Sequence, residues 1–186
     1  YLFNLAKCSG LMCSMHHACE QPQQALALCN EAIVLLKSMC RQWGESEKIL
    51  EVWAQLHEKK GDLVCALGKG RQAPGPYRTA LDVYTRMRTH NRDCADHSFG
   101  IYSCCRDLGD WHASRGKEKS AISWFRKAQR MSPHLAIRDP NTPCFVLAES
   151  EIATRLGGLQ IDVGRPKAAV RYWQEAYAAA RSRIGY

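Results

Sequence analysis

Apolar residues recur at helical spacing along most of the chain. Leu26, Ile33 and Leu36 fall on one face of a helix, because the steps between them match about 3.6 residues per turn. Sustained alternation of apolar and polar residues, which is typical of strands, is nearly absent, and no Asn-Gly or Asp-Gly hairpin turn occurs. The pattern therefore predicts an all-α fold.

Proline and glycine interrupt this pattern at intervals and divide it into segments of helical length. The sequence predicts eight helices, at approximately 2–19, 22–41, 46–71, 76–91, 95–115, 118–131, 144–163 and 166–184. The length of the third segment favours a break near Gly61-Asp62.

Small and aromatic residues repeat at fixed offsets across pairs of helices. One set is Leu108-Gly109 followed by Ala121, Phe125, Ala128 and Pro133. The same offsets fit three further sets: Leu156-Gly157 with Ala169, Trp173 and Ala176; Leu67-Gly68 with Ala80, Tyr84 and Met87; and, more loosely, Met12-Cys13 with Ala25, Cys29 and Ala32. Gly75, Gly116 and Gly164 each follow seven residues after the glycine of a pair. Four occurrences predict a repeat built from helical hairpins.

This pattern resembles the tetratricopeptide-repeat (TPR) family, whose motif runs L-G-x2-Y…A-x3-F…A…P. The resemblance implies an α-solenoid of about four hairpins in a right-handed superhelix, at approximately 1–41, 46–91, 95–133 and 144–184 of one domain over 1–186. The spacing departs from the usual 34 residues. The Leu-Gly pairs lie 41 and 48 residues apart, and 55 residues separate Met12 from Leu67. The sequence is therefore closer to the extended-repeat type.

In the TPR family the concave groove is lined by the first helix of each hairpin, near the Leu-Gly pair. Carried over to this chain, the resemblance implies a partner-binding groove formed by Lys7, Lys69, Arg106, Asp110, Thr154 and Arg155. Such a groove is mixed but net basic, so an acidic or extended protein segment is the expected partner. The Lys/Asn set with which some repeats clamp a C-terminal carboxylate is not reproduced.

Composition adds little to this prediction. The chain has 186 residues, a net charge of +8 and a pI of about 9.1. The basic excess is spread along the chain, which weakly favours acidic partners and does not itself indicate a nucleic acid. No apolar run is long enough for a membrane span. The sequence reads as a fragment of a larger protein, so a helical regulatory or substrate-docking region of a large enzyme is the alternative function.

Ten cysteines raise the question of disulfides. Several lie where the helical pattern calls for small apolar residues, and Cys104 is adjacent to Cys105. No N-x-[ST] glycosylation site occurs. These features favour buried thiols in an intracellular, reducing compartment, either cytoplasm or nucleus.

Two groups of residues are candidates for chemistry. Cys13, His16, His17 and Cys19 are close enough on one helix to share a metal, but a second ligand pair is not evident, and Cys13 occupies a packing position. His90, His97 and His134 lie near the predicted loops, and Cys94 lies between the first two, without a local nucleophile signature. We therefore expect a non-catalytic protein with no metal or cofactor.

Two further segments raise the possibility of phosphate or nucleic-acid binding. GKGRQAPG lacks the spacing of a phosphate-binding loop and does not follow a strand. SWFRKAQR and VRYWQEAY interleave aromatic and basic residues, as in proteins that bind single-stranded nucleic acid. Phe125 and Trp173, however, hold the core aromatic position of the repeat. Nucleic-acid binding is therefore a minor alternative to protein binding.

Overall fold

The computed structural model describes residues 1–133, 135 and 142–181, without the side chain of residue 146. Within these ranges the chain forms eight α-helices, one 3₁₀ helix at Gly70–Gln72 and no strand. The helices are α1 (Leu2–Ala18), α2 (Pro22–Trp43), α3 (Glu47–Ala66), α4 (Pro74–His90), α5 (Ala95–Ala113), α6 (Glu118–Gln129), α7 (Pro143–Asp162) and α8 (Pro166–Arg181). The predicted all-α class is confirmed.

Local signals explain where the helices begin. Four of them start at a proline, which has a backbone angle suited to the first turn and lacks an N–H that would have no partner there; these are α2, α4, α7 and α8. Helix α3 starts after Ser46, whose Oγ accepts a hydrogen bond from the backbone N–H of Ile49 at 3.4 Å.

Consecutive helices pack in pairs, α1 with α2, α3 with α4, α5 with α6 and α7 with α8. The chain divides into two compact units, Tyr1–Arg92 and Asp93–Tyr186, and each unit contains two of these hairpins. Within a unit the second helix of one hairpin also packs against the first helix of the next, α2 on α3 and α6 on α7. We call these two contacts the internal junctions. A single domain over 1–186 stays a prediction.

The predicted break in the third helix is wrong. Helix α3 continues through Gly61 and Asp62 and ends at Ala66. Gly61 is buried, and the Tyr77 hydroxyl donates a 2.7 Å hydrogen bond to Asp62 Oδ1, so contacts with α4 hold this part of α3. The helix ends near Gly68, whose φ of 70° is not helical.

The helices of three hairpins approach most closely where a glycine of the first helix faces an aromatic ring of the second. These pairs are Gly61 with Tyr77, Gly109 with Phe125, and Gly157 with Trp173. A Cβ atom at any of the three glycines would lie 2.3 or 2.4 Å from a ring carbon or nitrogen, which is closer than such atoms can approach. Glycine is therefore required at these positions to admit the ring.

This geometry corrects the register of the second repeat. The glycine at the close approach is Gly61, not Gly68, and it is followed by Ala73, Tyr77 and Ala80 at the offsets seen after Gly109. The equivalent positions 13, 61, 109 and 157 are all spaced by 48 residues. The intervals between the predicted Leu-Gly pairs are unequal because Leu67-Gly68 matches the motif, although Gly68 lies seven residues after Gly61, the equivalent glycine of this repeat.

The inter-helix turns follow the same 48-residue period. Four residues in these turns have a left-handed backbone, with φ between 58° and 72°: Glu20, Gly68, Gly116 and Gly164. This conformation ends a helix and suits glycine, because a Cβ atom is strained there. Glu20 is the exception to the glycine pattern. Gly68 therefore belongs to the turn of its repeat. Gly75, which the sequence offset grouped with Gly116 and Gly164, lies within α4 instead.

In the first hairpin, two cysteines replace the glycine and the aromatic ring where the two helices approach most closely. Its equivalent pair is Cys13 and Cys29, both fully buried. A hydrogen bond from Cys29 lowers the pKa of Cys13, and the same interaction raises the pKa of Cys29. Cys29 Sγ also lies 3.2 Å from the Leu56 carbonyl oxygen on α3. Two thiols thus occupy the volume that glycine and an aromatic ring share in the other hairpins.

Candidate partner-binding clefts

The first unit has a cleft between α1 and α3, with a volume of about 160 Å³. Its lining residues come from both helices: Lys7, Gly10, Leu11, Ser14, Val52, Gln55, Leu56 and Lys59. We call this the α1/α3 cleft. Two lysines and no carboxylate line it among the described residues, and three aliphatic side chains supply an apolar surface between them. Its chemistry is therefore basic and partly apolar.

The two lysines are held in different ways. Lys7 is exposed and lies 5.9 Å above the centroid of the Phe3 ring. Lys59 is half-buried and donates a hydrogen bond to Ser14 Oγ, which itself donates to the Gly10 carbonyl at 3.0 Å. Both contacts are with groups of no net charge, so the positive charge of each lysine can still attract an anion.

Helices α1 and α3 approach closely beside this cleft. A Cβ atom at Gly10 would lie 3.3 Å from Leu56 Cδ2, so the glycine lets the leucine pack directly on the backbone of α1. Leu56 is 4% exposed and belongs to the core of the first unit. The floor of the cleft is therefore fixed by core packing.

The second unit has a cleft between α5 and α7, with a volume of about 480 Å³. We call this the α5/α7 cleft. It is lined by Phe99, Arg106, Cys144, Leu147, Ser150 and Glu151. Unlike the α1/α3 cleft, it contains an arginine and a carboxylate together.

Arg106 in this cleft already has acidic partners. Its Nε and Nη2 each lie 2.9 Å from Asp107 Oδ1, and its Nη1 lies 3.7 Å from Glu151 Oε1. Burial alone lowers the pKa of Arg106, but the charges of Asp107 and Glu151 outweigh it and raise the pKa above its ordinary value. The Arg106 charge is therefore neutralised within the protein.

Arg155 and Asp110 form the other part of this charge network. Arg155 Nε lies 3.0 Å from Asp110 Oδ1, and its Nη1 lies 3.0 Å from Glu151 Oε1. Tyr102 donates to Glu151 Oε2 at 2.5 Å, and burial is the main cause of its raised pKa. The two arginines are therefore matched by three carboxylates, so the network is not net basic.

The six predicted groove residues have different local environments in the two units. Lys7 lines the α1/α3 cleft, and Arg106 lines the α5/α7 cleft. Asp110 and Arg155 pair with each other, whereas Thr154 is exposed and donates to the Ser150 carbonyl at 2.8 Å. Their role in partner binding stays a prediction.

Lys69 lies outside the helix on which it was expected. It follows the end of α3 and precedes Gly70–Gln72. The prediction was wrong because it placed the register of the second repeat seven residues too late. The residue equivalent to Asp110 in that repeat is Asp62. Lys59 and Glu151 are the charged residues lining the two clefts that the sequence prediction missed. The 48-residue period would have identified Lys59, which is equivalent to Arg155.

The candidate catalytic and metal-binding residues have different local environments. Cys13 is buried against α2, whereas Cys19 is exposed and His16 Nδ1 lies 2.7 Å from Gln21 Oε1. Over the described ranges, no three His, Cys, Asp or Glu side chains are arranged to hold a metal. His90 is exposed at the end of α4 and His97 is buried in α5. His134 lies outside the described residues.

The basic and aromatic segments also have structural roles. Phe125 is 1% exposed, and Lys127 lies 4.1 Å from the centroid of the Trp124 ring. No disulfide joins the ten cysteines, all of which lie within the described ranges. Among the helices that the structure describes, none combines the length and apolar character needed to cross a membrane.

Comparisons with known proteins identify relatives of this architecture. No family model matches the chain. It is 25% identical to the photosystem I assembly protein Ycf3 of Cyanophora paradoxa over 113 residues, which are 61% of this chain and 63% of that protein. The crystal structure of BtubC (BKLC) from P. vanneervenii is similar with a TM-score of 0.79 and 17% identity, over 98% of this chain and 65% of that one.

In both cases the match spans less than two thirds of the other protein's length. A crystal structure of MamA matches with a TM-score of only 0.43 and 14% identity, over 94% of this chain and 97% of MamA. The similarity to BtubC is a similarity of fold, and it extends over nearly the whole of this chain.

Proposed function

We propose that this chain, which has a TPR-type fold of helical hairpins, is a non-catalytic scaffold that binds an extended acidic segment of a partner protein. The α1/α3 cleft is the proposed binding site. The observation that carries this proposal is the pair Lys7 and Lys59 above an apolar floor, with no carboxylate among the described lining residues. A segment with carboxylates and aliphatic side chains would match both features.

The α5/α7 cleft is proposed to have a different role. Arg106 and Arg155 would have to leave Asp107, Asp110 and Glu151 before they could bind a partner's carboxylate. Breaking half-buried ion pairs costs free energy that a new pair only replaces. We therefore assign acidic recognition to the first unit, and infer that Arg106, Asp110 and Arg155 mainly fix α5 against α7.

A sequence relative supports a role in assembly. Ycf3, one of the proteins that match this chain in sequence, is named as an assembly protein. We propose for this chain the same general kind of activity, the holding of a protein partner, without proposing the same partner. We further propose a reducing intracellular compartment, because Cys13, Cys29 and Cys104 are buried thiols. Imaging of the tagged full-length protein tests this location.

A model peptide tests the cleft directly. We expect a fluorescein-labelled ten-residue peptide of alternating Glu and Leu to bind the chain, and the matched Lys–Leu peptide to bind far more weakly. Lys7→Gln with Lys59→Gln should weaken binding of the acidic peptide roughly 3- to 10-fold at low salt. Fluorescence anisotropy measures both effects.

The matched control is Lys37→Gln with Lys48→Gln, because both are exposed lysines of the same unit outside the cleft and the pair removes the same charge. It should leave the affinity nearly unchanged. Equal binding of the two peptides, or equal weakening by the control and the cleft variants, would show that general positive charge and not this cleft attracts the peptide.

A further inference from the structure

Helix α6 has an exposed face on which every charged residue is basic. Lys119, Arg126 and Arg130 are exposed and spaced by seven and four residues, so they form a line along the helix. Lys127, which is also exposed, lies beside this line. We call these four residues the α6 basic face. It is about 16 Å long, because each residue of a helix adds about 1.5 Å. The acidic residue of α6, Glu118, is half-buried.

Two further cations extend this face into the turn between α5 and α6. Arg115 and Lys117 are exposed there. None of the six cations forms an ion pair with a residue that the structure describes. The arginines of the same unit that lie near the α5/α7 cleft are instead held by carboxylates. The charge of the α6 basic face can therefore attract an anion from outside the protein.

The equivalent helices show that the repeat does not need these cations for folding. At the position of Lys127, α2 and α8 have Glu31 and Glu175. At the position of Arg130, α4 has Asp82. All four helices pack in the same way as the second helix of a hairpin. Acidic residues are thus compatible with the fold at these positions, so packing does not explain why the exposed charges of α6 are all positive.

Two tryptophan rings lie among the cations. At the turn, Arg115 lies 4.2 Å and Lys117 lies 5.9 Å from the centroid of the Trp111 ring. On α6, Lys127 lies 4.1 Å from the centroid of the Trp124 ring. Both tryptophans are half-buried, so part of each indole is open to solvent. Aromatic rings on which bases stack, together with cations that pair with phosphates, are typical of surfaces that bind single-stranded nucleic acid.

We propose that the α6 basic face and the adjoining turn bind single-stranded nucleic acid without sequence preference. Phosphates of the strand lie along the line of cations, and bases stack on the open parts of the Trp111 and Trp124 rings. This ligand matches both features of the surface, because it joins a row of negative charges to flat aromatic groups. The activity is additional to peptide binding by the first unit, and it uses none of the residues of the α1/α3 cleft.

Other anionic ligands match this surface less well. A membrane would take up exposed apolar side chains, and α6, which the structure describes in full, exposes no large one. An acidic peptide gains apolar contacts in the α1/α3 cleft that the α6 basic face does not supply. A nucleic-acid duplex keeps its bases inside the stack, so the two tryptophans would add nothing to its binding.

Fluorescence anisotropy with a labelled oligouridine of about twelve nucleotides tests the proposal. We expect binding at low salt, and a plot of log affinity against log salt with a slope of about −3, since each of about four neutralised phosphates contributes about −0.7. Lys119→Gln with Arg126→Gln should weaken binding roughly 5- to 20-fold at low salt and lower the slope to about −1.5, because two of these contacts are lost. Circular dichroism checks that the variant stays folded.

Lys37→Gln with Arg41→Gln is the matched control. It removes one lysine and one arginine that are exposed on α2 of the first unit, so the loss of charge is the same. The control should bind the oligouridine like the unchanged chain. Equal weakening by the two double variants would show that the net charge of the chain, and not the α6 basic face, attracts the strand.

An abasic strand of the same length separates base stacking from charge. It has the same phosphates without the bases, so it should bind roughly 5-fold more weakly or worse. Trp124→Leu should weaken oligouridine binding by a similar factor and leave binding of the abasic strand unchanged. Leucine is the residue at the equivalent position of α2, Leu28, so the repeat accommodates it. A purely structural role of Trp124 would affect both strands alike.

Three further results would overturn the proposal. One is the absence of any anisotropy change at low salt. Another is equal affinity for the oligouridine and the abasic strand, which would mean that the surface attracts polyanions through charge alone. The last is binding to vesicles of phosphatidylserine and phosphatidylcholine without binding to the oligouridine, which would assign the surface to a membrane. None of these results bears on peptide binding in the α1/α3 cleft, because the variants leave Lys7 and Lys59 in place.

Discussion

The two units have the same arrangement of two hairpins, but they place charge differently. In the first unit, the described residues that line the α1/α3 cleft include Lys7 and Lys59 and no carboxylate. In the second unit, Arg106 and Arg155 are surrounded by three carboxylates. A count of basic residues along the sequence therefore does not locate a basic surface. Basic residues form a basic surface only where the neighbouring repeat has no acidic residue at the matching position.

The units also differ at the closest approach of their helices. The third hairpin uses Gly109 and the Phe125 ring, whereas the first uses Cys13 and Cys29. An aromatic ring buries much more apolar surface than a thiol. We therefore expect the second unit to depend more strongly on this single pair of residues.

Truncation at these two positions should give the largest effect. Phe125→Ala removes a fully packed ring and should lower the free energy of unfolding by about 3–5 kcal/mol. Cys29→Ala removes one sulfur atom and should cost only about 1–2 kcal/mol. Urea unfolding followed by circular dichroism measures both. Equal costs would contradict the greater dependence of the second unit on this pair of residues.

The charge comparison predicts the next largest effect. Arg106→Met leaves Asp107 and Glu151 without their shared partner, and should lower the free energy of unfolding by about 1–3 kcal/mol. Lys7→Met removes an exposed charge and should change stability little. Thermal or urea unfolding compares the two variants. A stable Arg106→Met variant would mean that the network is not structural and that Arg106 remains available for a partner.

Acid should affect the first unit through His57. Burial, and secondarily Lys60, lowers the pKa of His57 to about 4 in the folded chain, from 6.5 when unperturbed. The unfolded state therefore binds the proton more readily, so stability is complete above about pH 6.5 and falls as the pH drops towards 4. The equivalent residue in the second unit is Cys105, whose pKa burial raises to about 11.

The unchanged chain should lose stability as the pH falls from about 6.5 to about 4.5. In the His57→Ala variant this loss should be smaller by roughly 1–2 kcal/mol. Cys105→Ala should leave that pH dependence unchanged, because a thiol is protonated throughout the range. Urea unfolding at several pH values measures the slopes. Identical slopes for the His57→Ala variant and the unchanged chain would contradict the half-buried, neutral state of His57.

Substitutions in the inter-helix turns should give the smallest changes in stability. Glu20 has a left-handed φ of 58° where the other three repeats have glycine. Glu20→Gly should stabilise the chain by about 0.5–1 kcal/mol, since glycine adopts this conformation without strain. Gly116→Ala should destabilise it by a similar amount. A loss of stability in Glu20→Gly would mean that the side chain of Glu20 stabilises the turn.

Periodicity was enough to predict the helices and the repeats that follow Leu108 and Leu156. It failed in the second repeat, because Gly61 and Gly68 are two helical turns apart and lie on nearly the same face. Lys60 precedes Gly61 where the motif has leucine, so Leu67-Gly68 looked like the better match. An equal spacing of 48 residues, with Ala73 and Tyr77 at the right offsets, was the signal in the sequence that would have corrected it.

The candidate site could be predicted less well than the fold. Lys7 was identified through its place in the motif, whereas the pairing of Arg155 with Asp110 joins residues 45 positions apart in different repeats. The motif gives the face of a helix on which a residue lies. It does not give which charges on neighbouring helices come within 3 Å of each other, since that depends on rotamers and on the tilt of the helices.

Chemical-shift mapping of peptide binding tests the central claim, that acidic recognition belongs to the first unit. The ¹⁵N-labelled chain is titrated with the unlabelled Glu–Leu peptide and its amide resonances are followed. We expect the largest shifts in α1 and α3, around Lys7 and Lys59, and small shifts around Arg106 and Arg155. Largest shifts in α5 and α7, with α1 and α3 unchanged, would contradict the claim.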